Sequence, residues 1–153
     1  MAGALLLTAC PKDETAESCN DYVPPASFDP QTPAVSFSKD IMPIFKPSCA
    51  FTNCHGLQAS SNGVFLGDTS GPGAVHSNPV GRRATALQTM DIVKPGDPRE
   101  SFLMRKVDGS QCVLDAQCTG GTCGDSMPRQ EELLPLEDRD KIRRWIAQGA
   151  KND

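Results

Sequence analysis

The residues with the most chemical reach lie in one short stretch, Cys49-Ala-Phe-Thr-Asn-Cys54-His55. Two thiols followed directly by an imidazole form the arrangement that fastens a c-type haem in its usual C-x-x-C-H form. The sulfurs make thioethers with the haem vinyls and the adjacent imidazole reaches the iron. Here four residues separate the cysteines instead of two. Taken alone, the heptapeptide suits a local disulfide with His55 as a surface histidine equally well, because short motifs also occur by chance. The one other histidine is His76, which leaves little material for histidine acid–base work. No Ser/His/Asp set, phosphate loop or carboxylate pair suggests other catalysis, so an enzyme is not expected.

The elements that must position this stretch are short. Ser38 is placed as an N-cap with Asp40 in the first turn, and Ile41, Ile44 and Phe45 share one helical face leading to Cys49. Pro43 fits only a first turn and Pro47 stops the helix nearby. Residues 56–89 read as loop, punctuated by Gly56, Gly63, Gly67, Gly71 and Gly73, with Val64-Phe65-Leu66 as its apolar knot and a helical turn at 84–90. Residues 93–98, Val-Lys-Pro-Gly-Asp-Pro, form a turn, and 100–107 a short amphipathic helix. Cys112, Cys118 and Cys123 lie in a glycine-containing insert ending Gly124-Asp125-Ser126-Met127-Pro128. The clearest element spans 137–148. Ile142, Trp145 and Ile146 repeat at helical spacing, Asp138 and Asp140 come early, Arg143 and Arg144 late, and Gly149 supplies the stop. Trp145 is expected to pack this last helix onto the first.

Length and composition narrow the classes. With 153 residues the chain suits one domain. Its 15 basic and 19 acidic residues argue against nucleic-acid binding, and the pairs Arg82-Arg83 and Arg143-Arg144 read as solvated surface. Thirteen glycines and thirteen prolines require many turns. Six Phe, one Trp and one Tyr make aromatic packing sparse, a deficit that a large flat apolar cofactor would fill. Seven cysteines imply an oxidising compartment or metal ligation. Zinc on Cys112, Cys118 and Cys123 is disfavoured by irregular spacing. No stretch approaches the ~18 apolar residues of a membrane helix.

Two resemblances follow. Residues 2–10, ending Leu7-Thr8-Ala9-Cys10, resemble a bacterial lipobox without its basic leader, which implies a signal remnant at 1–10 and a lipid on Cys10. Residues 11–34, rich in Pro, Asp, Glu, Ser and Thr, then read as a tether that Cys19 is placed to pin. The order helix, Cys…Cys-His-Gly, Lys-Pro-Gly-Asp-Pro, Gly-x-x-Met-Pro and Ile-x-x-Trp-Ile-x-x-Gly-Ala resembles the class I cytochrome c domain of extracytoplasmic lipoproteins. The resemblance covers roughly residues 35–150.

That resemblance implies an all-α fold over 35–153, a cytochrome c-like small helical bundle around one covalent haem, with long irregular loops. It makes Cys49 and Cys54 the thioether positions, His55 the proximal ligand and Met127 the distal one; Met90, Met104 and His76 stand as alternatives to Met127. Cys19, Cys112, Cys118 and Cys123 are left as candidates for two disulfides, with three connectivities open. The implied role is single-electron transfer to redox partner proteins at the cell envelope, lipid-anchored and outside the cytoplasm. The rival expectation is a haem-free, disulfide-rich surface lipoprotein that binds a partner.

Overall fold

The computed structural model describes residues 19–57, 61–67 and 72–153; Cys10 and the proposed lipobox lie outside them. Among the described residues, the first helical stretch is capped by Ser36, not Ser38. Ser36 Oγ accepts from the Lys39 amide at 3.3 Å while Asp40 accepts from the Ser36 amide at 2.8 Å, a reciprocal cap. A π-turn over Phe37–Ile41 then feeds α1, Met42–Ser48, with Pro43 in its first turn and Pro47 in its last. Pro47 has no amide to donate, and α1 stops one residue later.

The last helix, α4, spans Leu136–Ala147, with Glu137 and Asp138 at its positive end and Arg144 at its negative end. Gly149 takes φ +100° and turns the chain out of the helix. Ile142, Trp145 and Ile146 are fully buried. Trp145 lies 5.2 Å from Phe37, which meets Phe45 edge-on at 6.4 Å. The chain end closes this junction, because the Asp153 backbone oxygen accepts from the Ser38 amide and its carboxylate from the Phe37 amide, each at 2.9 Å. Trp145 thus joins the last helix to the start of the first, as its spacing implied.

The expected cytochrome c-like helical bundle does not form. Four α-helices of seven, six, six and twelve residues are present among the described residues: α1, α2 (Pro72–Ser77), α3 (Phe102–Val107) and α4. The remainder is mostly irregular. Isolated bridges Val80–Val93, Arg83–Asp91 and Asp91–Ser101 organise the segment between α2 and α3, and no β-strand is present among the described residues. Proline and glycine density explains the short helices, since each interrupts the ladder or favours turns. The aromatic deficit is also met internally: Trp145, Phe37, Phe45 and Phe65 are at most 1% exposed and fill the core themselves.

Three local differences have simple causes. Residues 84–90 close as a turn, with Ala84 bonded to Met90 at 2.9 Å, and not as helix. α2 forms where glycines suggested loop, starting at Pro72, whose fixed φ suits a first helical position. The cysteine insert coils as a 3-10 turn over Gln111–Gln117.

Residues 19–34 lie along the domain. Tyr22 sits under the guanidinium groups of Arg139 and Arg143, and Phe28 under those of Arg143 and Arg144. Arg144 donates to the Asp29 carbonyl, and Gln148 to those of Pro30 and Pro33. Arg143 is 4% exposed and binds both Asp108 oxygens at 2.7 Å, so this arginine is not solvated surface. Arg139 and Asp140 complete the cluster.

Candidate functional site

Cys49 caps α1, its amide donating to Phe45 at 2.8 Å. The chain then folds tightly back. The Phe51 carbonyl accepts from Cys54 at 2.9 Å and from Gly56 at 2.8 Å, and the His55 amide returns to the Cys49 carbonyl at 3.1 Å. Gly56 is required by the closeness of that turn: a Cβ there would lie 2.4 Å from the Ala50 oxygen and 2.8 Å from the Phe51 oxygen. Gly67 faces it in the same way, since its Cβ would lie 2.6 Å from the Gly56 oxygen.

This glycine-to-glycine approach brings residues 64–67 against the histidine. Leu66 donates to the His55 carbonyl at 2.8 Å, and His55 Nδ1 lies 3.0 Å from the Val64 carbonyl. A carbonyl only accepts, so Nδ1 carries the proton. Burial holds the His55 pKa below its ordinary value, opposed in part by the Val64 bond. The ring is therefore neutral near pH 7, and Nε2 presents its lone pair. A second-site bond that fixes tautomer and ring orientation is what a metal-ligating histidine needs.

The two thiols beside it are free: Cys49 is buried and Cys54 half-buried. Burial first, and the neighbouring Cys54 second, push the Cys49 thiol up to about 12, so it stays protonated and slow to exchange. The other described cysteines pair as Cys19–Cys112 and Cys118–Cys123. Those bridges remove the zinc alternative, and no cluster of three His, Cys, Asp or Glu suited to a metal ion occurs among the described residues. Phe51, inside the Cys–His turn, and Leu57, just after it, are 55% and 49% exposed. Two free thiols and an imidazole engaged through Nδ1 are the donor types that covalent haem attachment uses.

Met127 belongs to a separate cluster. It is half-buried, and its amide donates to the Lys106 carbonyl at the end of α3 at 2.9 Å. Of the alternative ligands, Met90 and Met104 are buried in the core. His76 turns to the chain end, its Nε2 2.6 Å from the Ala150 carbonyl and its ring edge-on to Phe37 and Trp145. The structure thus brings Cys49, Cys54 and His55 together, and sets Met127 on a loop of its own. Sequence reasoning missed Val64 and Lys106. A backbone carbonyl partner leaves no mark in residue type, and Lys106 read only as part of an amphipathic helix.

No family model, curated protein or solved structure matches this chain. The two disulfides mark an oxidising, extracytoplasmic environment, and no helix among the described residues is long and apolar enough to cross a membrane.

Proposed function

We propose that this chain holds one c-type haem through Cys49 and Cys54, with His55 and Met127 as axial ligands, and carries single electrons at the cell envelope from a lipid anchor on Cys10. One observation carries the reading. The four other described cysteines are paired, while Cys49 and Cys54, which precede His55, are unbridged, and the imidazole's Nδ1 is already engaged. Thioether formation needs both sulfurs as thiols.

Bound haem supplies a one-electron couple whose potential follows its axial ligands, its burial and nearby hydrogen bonds. The protein's own work is positional. Val64 orients His55, and the turn around Phe51 brings the Cys49 backbone to that of the histidine that follows Cys54. No proton needs to move, so the shortage of histidines is no obstacle. Encounters with redox partner proteins of this kind are small and transient.

The two disulfides also suit the second reading, a haem-free surface lipoprotein acting as a binding module. A pyridine haemochrome assay on protein made with a cytochrome c maturation system separates the two. One covalent haem per chain is expected. A chain that folds, forms both disulfides and carries no covalent haem overturns the proposal and leaves the binding module. Covalent haem that is high-spin and binds CO readily would replace electron transfer with ligand sensing.

A further inference from the structure

The loop that carries Met127 is held from three directions, and one side chain joins them. Lys106, in the last turn of α3, donates from Nζ to the Cys123 carbonyl and, at 2.6 Å, to the Asp125 carbonyl. Its own backbone carbonyl accepts the Met127 amide at 2.9 Å. The ammonium also sits 5.5 Å from the centre of the Phe102 ring. Residues on both sides of Gly124 are therefore tied to one lysine, and Met127 is tied to the same residue's backbone.

The other braces act further back. The Cys118–Cys123 bridge and the bond from the Cys123 amide to Asp115, 2.6 Å, fix the start of the loop. Gln111 donates to the Gly124 carbonyl at 3.2 Å. Beyond Asp125, the Met127 amide ties the loop to α3 through the Lys106 backbone carbonyl. An ammonium with three donors spans two carbonyls that a methyl or thioether tip cannot bridge.

We infer that Lys106 is the positioning residue for the Met127 sulfur, an assignment that rests on the proposed axial role of Met127. Its clamp sets where the loop, and with it the thioether, stands relative to the domain. A residue that merely stabilised the fold would leave the ligand bond of the folded protein unchanged; a positioning residue would not.

The test compares wild type with Lys106→Met, which keeps the aliphatic stem and loses the donors, and Lys106→Arg, which keeps the donors. In the oxidised holoprotein, the absorption band specific to sulfur–iron ligation is measured together with the reduction potential. In haem-free protein, the rate at which dilute peroxide converts Met127 to its sulfoxide is followed by peptide mass spectrometry. Lys106→Met is expected to keep haem loading, reduce the sulfur–iron band at least twofold and raise the sulfoxide rate about threefold or more, with Lys106→Arg near wild type. An unchanged band and unchanged sulfoxide rate in Lys106→Met overturn the inference. If Lys106→Met does not fold, Lys106→Gln, which retains one shorter donor, is scored by the same two criteria. A wild-type protein without covalent haem, or a band that survives Met127→Ala, defeats the haem or ligand reading by itself. The sulfoxide rate then still decides whether Lys106 fixes the loop.

Discussion

Gly56→Ala is the most direct test of the site's construction. The added carbon would lie 2.4 Å from the Ala50 oxygen, 2.8 Å from the Phe51 oxygen and 2.9 Å from the Phe51 carbonyl carbon. All are backbone atoms, so no rotamer change relieves the clash and the 50–56 turn itself must open. Overpacking commonly costs about 1–3 kcal/mol, and a clash against backbone belongs at the upper end, about 3 kcal/mol. With a urea slope of about 2 kcal/mol/M, the unfolding midpoint should fall by about 1.5 M. Opening the turn also moves His55 away from Val64, so covalent haem loading should fall with stability. Gly73→Ala is the control. Its Cβ would meet nothing closer than Asn152 Nδ2 at 3.9 Å, and its position inside α2 predicts a gain of about 0.5–1 kcal/mol. Urea denaturation followed by circular dichroism, with haem content per chain, reads both variants. A Gly56→Ala protein within about 0.3 M of the wild-type midpoint and fully loaded with haem would refute the close-approach reasoning.

Three further outcomes are expected. At pH 8, a Cys49 thiol raised to about 12 from an ordinary 9.0 holds roughly a thousandfold less thiolate than an unperturbed cysteine, so timed alkylation with mass mapping of haem-free protein should label Cys54 well before Cys49; equal rates contradict the burial of Cys49. The His55 pKa is lowered in the folded state by burial, so the unfolded chain takes up the proton first. Stability should therefore be intact above about 6.5, fall as pH drops below that value, and level off once the folded pKa is passed. His55→Asn should flatten this dependence in haem-free protein, and an unchanged pH profile in that variant argues against it. Arg143→Met leaves the Asp108 carboxylate with Arg139 alone, and chemical denaturation should show a loss of about 3 kcal/mol; a loss under about 0.5 kcal/mol would mean the cluster contributes little.

What was legible in the sequence depended on how local the cause was. Cys49, Cys54 and His55 stand together because they are neighbours in the chain, and α3 and α4 follow from apolar periodicity that tertiary packing reinforces. An even remainder of four cysteines announced two bridges, but not their pairing. Cys19 reaches Cys112 because Tyr22 and Phe28 dock the preceding arm on Arg139, Arg143 and Arg144, a long-range event with no local pattern. Arg143, apparent surface in the sequence, is buried at this junction, while Arg144 beside it is half-buried and holds Phe28 and the Asp29 carbonyl. The helical bundle failed as an expectation for a related reason. The order of motifs along the chain resembles a helical haem domain, but the backbone between them is set by proline and glycine, and those residues favour turns closed by individual hydrogen bonds over long helices.

Four residues separate Cys49 from Cys54 where the common attachment motif has two. In the haem-attachment arrangement the imidazole must stand in a defined relation to both sulfurs. Here the extra length is taken up by a turn in which one carbonyl, that of Phe51, accepts from both Cys54 and Gly56. The His55 amide consequently returns to the carbonyl of Cys49 itself, so the first cysteine and the histidine are joined by a hydrogen bond despite lying six positions apart in the chain. The side chain of Phe51 is left exposed by this turn. The turn thus brings the first cysteine's backbone to that of the histidine. Gly56 and Gly67 permit this geometry in different ways: a larger residue at Gly56 would force the 50–56 turn open, and one at Gly67 would push residues 64–67 off the Gly56 backbone. What holds the turn closed is the His55–Cys49 bond together with the close backbone approaches at Gly56 and Gly67.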